Sequence, residues 1–240
     1  MSQQLDHQKT IDTIRRLEER IVDRFPASGL SRIAKDLCAI ATASVDMVEL
    51  HSRPNIAIRL SAAIVIMLGV LLLGYSISQV ASTGERPTLA EFVQVTEAAI
   101  NTVVFLGAAV YFLITFETRV RRGRVLKALH ELRAIAHVID MHQLTKDPSM
   151  EQHSIEATPA SPKRTLTQFQ LLRYLDYCSE LFSLVGKLSA LHSQNLSDPI
   201  VISAANDIET LCSGLSRKVW QKISLLKNAG EKQALDDARA

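Results

Sequence analysis

Two stretches of this chain carry no charge, whereas the segments around them set apolar against polar residues at helical spacing. The first runs from Leu60 to Gly84 and the second from Ala98 to Phe116. A bilayer core about 30 Å thick needs roughly 20 apolar residues in a helix rising about 1.5 Å per residue. Both stretches meet that length and predict transmembrane helices over residues 56–82 and 98–117. A soluble core helix this long would keep a charged face. The amphipathic segment ahead of the first stretch predicts a retained span, not a cleaved signal.

Lysine and arginine placement orients the pair. Arg53 and Arg59 precede the first stretch, and Arg119, Arg121, Arg122, Arg124 and Lys127 follow the second. The connecting loop, taken as residues 83–97, sets Arg86 against Glu85, Glu91 and Glu97. The expectation is a multi-pass protein of the cell inner membrane with both termini cytoplasmic and a short acidic loop outside.

The remaining segments read as amphipathic helices, so the predicted fold class is all-α. In the N-terminal arm, residues 1–55, Ile11, Ile14, Leu17, Ile21 and Phe25 share one face, Pro26 to Gly29 interrupt, and Ile33, Leu37, Ile40 and Ala41 mark a second helix. Thr88-x-x-Glu91 behind Pro87 has the form of a capping box. No proline follows before Pro148, so the second span is expected to continue over 118–146 to His142–Leu144, one helix roughly 80 Å long. Its apolar stripe beyond the span is Val125, Leu126, Leu129, Leu132, Ala136 and Ile139. Residues 147–164, with three prolines, predict a flexible linker. A helical hairpin is expected over 165–230, capped by Thr165-x-x-Gln168 and by Asp198-Pro199. Its second stripe holds Ile208, Leu211, Cys212, Leu215, Val219, Trp220, Ile223 and Leu226, and a polar tail covers 231–240.

Composition narrows the functions. Aromatic residues are 5%, with 9 glycines and 7 prolines, which disfavours sheets. A net charge of +2 without a basic, aromatic-studded stripe argues against a nucleic-acid partner. Cys38, Cys178 and Cys212 show no C-x-x-C spacing and read as small core residues on cytoplasmic helices. No P-loop, Gly-x-Ser-x-Gly elbow, His-Glu-x-x-His or glycine-rich dinucleotide turn occurs, so neither an enzyme nor a cofactor site is expected.

Within the second span, Asn101, Ala108 and Thr115 fall on one face, with Glu97 one turn outside. Polar groups at membrane depth usually face protein or water, so these four are the candidate pore or helix-interface residues. On the cytoplasmic extension, His130, Arg133 and His137 face away from the apolar stripe and form a candidate partner-binding face. His137 and Asp140 stand three residues apart, as two metal ligands on one helix do. His130 and His137 lie about 10 Å apart along the axis, too far to share an ion, so no metal site is assigned. Arg173, Tyr174, Asp176, Tyr177 and Glu180 read as a solvated or interdomain polar face.

His130-Glu131-Leu132-Arg133 resembles the core of the histidine-kinase H-box, a phosphoaccepting histidine on a helix after a transmembrane segment. The chain departs from that family in carrying Ala134-Ile135 where its proline stands, and no Asp-x-Gly-x-Gly follows. Residues 130–148 and 173–191 are similar to segments of uncharacterised bacterial inner-membrane proteins with two transmembrane helices. The architecture is also similar to the two-helix SLATT membrane effectors of bacterial defence. Two spans in a lipid bilayer cannot enclose an aqueous path alone, so a homo-oligomer is expected, and the His130 face is where a cytoplasmic protein partner would dock. Two functions stay open. One is a homo-oligomeric pore or ion path controlled by the cytoplasmic helices; the other is a non-conducting membrane-anchored scaffold or signalling module.

Overall fold

The computed structural model describes residues 5–52, 56–82, 88–146, 166–194, 196 and 198–237. Among them are six helices and no strand: α1 (His7–Arg24), α2 (Gly29–Ser52), α3 (Ile56–Ser82), α4 (Leu89–Leu144), α5 (Gln168–Gln194) and α6 (Pro199–Asp237). The chain divides into two compact units, Met1–Leu50 with Arg124–Ala240, and His51–Gly123.

In the first unit, one core cluster draws on α1, α2, α4 from Val125 onward, α5 and α6. The stripe expected on α1 is buried throughout, as are Val125, Leu129, Leu132, Ala136 and Ile139 of α4. Asp6 caps α1, its carboxylate accepting from the backbone N–H of Gln8 and Lys9. The chain then reverses through Ala27, whose φ of 57° is left-handed. Ser28 caps α2 by accepting the Ser31 N–H at 3.1 Å. Gly29 opens α2 directly under the His142 ring, so a Cβ there would collide with the imidazole. That close approach is why glycine occupies the position.

α5 and α6 pack as an antiparallel hairpin on small residues. Ser179 and Ser216 share a hydroxyl–hydroxyl bond of 2.9 Å, and Gly186 faces Glu209 and Cys212 across the seam. The buried Ser189 hydroxyl reaches the Ala205 carbonyl at 3.5 Å. Asp198 caps α6 as expected, accepting from Ile200 N–H at 2.9 Å. The capping box of α5 is Thr167-x-x-Gln170, reciprocal at 3.2 and 2.9 Å, two residues beyond the expected Thr165-x-x-Gln168. Trp220, placed in the core stripe by periodicity, is 52% exposed. The stripe passes through Val219 and Ile223 instead, about 100° and 60° around the helix from Trp220 on the same side. α6 runs on to Asp237, past the expected stop near Gly230. The linker at 147–164 lies outside the described residues.

In the second unit, α3 has the bounds expected of the first apolar helix. α4 begins at Leu89, so 89–97 are helix where the sequence placed loop; Thr88 starts it by accepting the Phe92 N–H at 3.0 Å. No glycine or proline follows until Gly107, which leaves nothing to delay the helix. α4 continues unbroken to Leu144, the continuation expected from the missing prolines. Among the described residues, one helix, within Phe92–Leu144, is long and apolar enough to cross a membrane, and none of its apolar window is buried in the protein. Leu60–Tyr75 of α3 is a shorter apolar stretch among the described residues. The two meet where Gly69 approaches Leu106, whose methyls would stand 3.3 Å from an added Cβ.

Candidate functional site

The α4 surface in the second unit has two sides. Val95, Ala99, Thr102, Leu106, Ala109 and Leu113 are half-buried at alternating spacings of three and four. Leu106 among them touches Gly69, so this row is the side turned to α3. Glu97, Asn101, Ala108 and Thr115 lie roughly 100–160° around the helix from that row, and all four are exposed. The spacing of seven keeps Asn101, Ala108 and Thr115 in line with a drift of about 20° per repeat, and Glu97 stands about one turn before Asn101. The hairpin contact therefore leaves the candidate face unused.

The hydrogen bonding of this face is uneven. Thr115 donates to the Tyr111 carbonyl at 2.8 Å, as Thr102 does to Ala98. These hydroxyls are satisfied within their own helix, an arrangement suited to an apolar medium. The Asn101 side chain makes no hydrogen bond, and Glu97 no ion pair, among the described residues. Both line a hollow of about 430 Å³ with Phe92, Val93, Thr96 and Ile100. Large apolar side chains on both helices are exposed, among them Leu68, Leu71, Phe105 and Phe112. Exposure of that kind on a single unit marks a lipid or partner surface.

In the first unit, His130, Arg133 and His137 are exposed on α4, as expected of a docking face. Val138 and Met141 continue the surface, Met141 at 66% exposure. His142 does not join the other histidines, since its ring is committed to Gly29. No group of three metal-ligating side chains converges among the described residues.

No family model, curated protein or solved structure matches this chain. Its site must be read from its own geometry.

The cluster from Arg173 to Glu180, expected on a solvated or interdomain face, fastens α1 to α5. Tyr174 and Tyr177 are buried. The Phe25 ring meets both edge-on, at 5.4 and 6.2 Å. Arg20 of α1 pairs with Glu180 at 2.9 Å, and Arg20 and Arg173 approach the Tyr177 ring at 6.0 and 5.2 Å. Arg173 also pairs with Asp176 at 3.3 Å. Burial raises the Tyr174 phenol well above its ordinary value, so it stays neutral. The burial of the two tyrosines was not read from the sequence because Arg173, Asp176 and Glu180 stand among them. The signal available was the two tyrosines three residues apart, opposite Phe25 at the end of α1.

A groove of about 480 Å³ runs along the α5–α6 seam, with Leu5 at one edge and Lys187 and Glu209 on its rim. Cys212 forms part of its floor. Burial pushes the Cys212 and Cys178 thiols up to about 12, so neither is a thiolate at neutral pH.

Proposed function

We propose that this chain is a homo-oligomeric integral membrane protein whose α4 faces assemble around a polar path for ions. In this reading α3 and α4 cross the cell inner membrane as a hairpin. Both termini and the helical first unit lie in the cytoplasm, consistent with Lys and Arg beside the spans and glutamates between them. One observation carries the path: Glu97, Asn101, Ala108 and Thr115 form an exposed line turned away from α3, and the Asn101 carboxamide has no hydrogen bond among the described residues. An unsatisfied carboxamide in hydrocarbon costs several kcal/mol by the usual transfer estimates, so water or another copy should meet it. Two helices cannot enclose water alone, and Ala108 lets copies approach closely.

The alternative is a non-conducting scaffold. It draws on a different observation, the exposed His130, Arg133 and His137, which make no hydrogen bond or ion pair among the described residues. A cytoplasmic protein docking there would need no path through the membrane.

Asn101 separates the two. In a water-filled path, Asn101→Asp is tolerated and shifts preference toward cations, as a carboxylate ring does. At a dry interface the same carboxylate weakens the oligomer. Asn101→Leu does the reverse, sparing a dry interface and obstructing a wet one. Ion flux and oligomer mass are measured together in liposomes of purified protein. A stable oligomer without flux in the unmodified chain rejects the path and leaves the scaffold.

A further inference from the structure

We propose that the hollow around Glu97 on α4 is a binding site for lipophilic organic cations. Its lining is Phe92, Val93, Thr96, Glu97, Ile100 and Asn101, and its volume is about 430 Å³. Small-molecule sites fall between roughly 300 and 1,000 Å³, with apolar walls and few polar groups. This hollow has that make-up. Phe92, Val93 and Ile100 are exposed apolar side chains that gain by being covered. The Thr96 hydroxyl is spent on the Phe92 carbonyl at 2.8 Å, so it does not compete for ligand.

The charge decides the ligand class. Among the described residues, Glu97 is the one ionisable side chain of the lining, and it has no ion-pair partner. The exposed Glu97 carboxylate stands beside apolar side chains, so an organic cation that meets it can cover those side chains at the same time. Phe92 adds a ring face, on which cations bind by roughly 0.5–2 kcal/mol. Asn101, one turn on, offers a carboxamide oxygen to a cation or to its hydrogen-bond donors. A neutral lipid chain would use the walls and waste the carboxylate, and an anion would be repelled by it. The site does not require that the assembly conduct ions, so its fate and that of the path are separable.

Tetraphenylphosphonium and tetraphenylborate test this, being ions of matched shape and opposite charge. Binding is measured by equilibrium dialysis against the full chain in detergent, with protein-free micelles subtracted. The expected result is saturable phosphonium binding and no saturable borate binding. Glu97→Gln should weaken phosphonium binding by about tenfold or more, and Glu97→Asp should restore most of it. Ile100→Trp keeps the charge and fills the hollow, so it too should abolish binding. Equal uptake of both ions, or phosphonium affinity unchanged in Glu97→Gln and in Ile100→Trp, overturns the proposal. Circular dichroism and oligomer mass of each variant separate loss of the site from loss of the fold.

Discussion

Lys222 of α6 donates its ammonium to the backbone carbonyl of Gln143 at 2.9 Å, across 79 residues of sequence. Gln143 stands in the last turn of α4, where the dipole favours a cation, and its carbonyl also accepts the Lys146 N–H at 3.1 Å. Its side chain is buried, so water is poorly placed to substitute. Lys222→Met should therefore lower unfolding stability by roughly 1–2 kcal/mol. Lys227→Met, on an exposed position of the same helix, should change it by less than about 0.5 kcal/mol. Urea titration of the full chain in detergent, followed by circular dichroism, compares the two.

At the junction of α1 and α5, packing should outweigh charge. Phe25 is 7% exposed between two buried tyrosines, and Phe25→Ala is expected to cost about 3 kcal/mol or more. The Arg20–Glu180 pair is short but about half exposed on both sides, so Arg20→Ala should cost less than about 1 kcal/mol. If the arginine variant proved the more damaging, the ion pair and not the aromatic cluster would be the fastening.

Much of this body is legible in the sequence because burial follows helical period. The α1 stripe, the α4 stripe from Val125 to Ile139, and the Asp198-Pro199 start all stand where pattern and capping chemistry put them. The failures have distinct causes. Thr165 lies outside the described residues; Thr167 and Gln170 form the box, and the Gln168 side chain donates to the Leu226 carbonyl at 3.0 Å. Gly230 does not stop α6, since a glycine costs a helix only about 1 kcal/mol. The Arg173–Glu180 segment misleads because cations on tyrosine faces look polar in sequence and are half internal in space. On α4, spacing alone aligns Asn101, Ala108 and Thr115. Which side of the helix α3 takes depends on the Gly69–Leu106 approach, and no periodicity encodes that.

Thiol reactivity should sort by burial. Cys178 and Cys212 are buried with thiols pushed up to about 12, whereas Cys38 is half-exposed. Maleimide at neutral pH should modify Cys38 first, with the other two protected until the chain unfolds. Mass spectrometry of the partly labelled protein reads the order. Early labelling of Cys178 would contradict the packing of α5 against α6.

His7 predicts a pH effect of definite sign. Burial lowers its folded pKa from 6.5, and the nearby Asp6 opposes the shift without cancelling it. A histidine depressed by folding is neutral in the native chain, so its contribution is intact above the unfolded value and is lost as pH falls below it. The thermal midpoint should drop between about pH 7.5 and pH 5.5, and the drop should be shallower in His7→Gln. Equal slopes for both proteins would remove His7 as the source.

Everything proposed for α4 depends on the hairpin crossing a membrane, and cysteine accessibility tests that most directly. Thr83→Cys places a thiol between α3 and α4, and epitope tags are added at each terminus. In intact cells a membrane-impermeant maleimide should label the introduced cysteine, while both tags stay inaccessible until the membrane is opened. Labelling of position 83 together with exposure of either tag would leave a single crossing. Recovery of the whole chain in the soluble fraction would contradict the account outright.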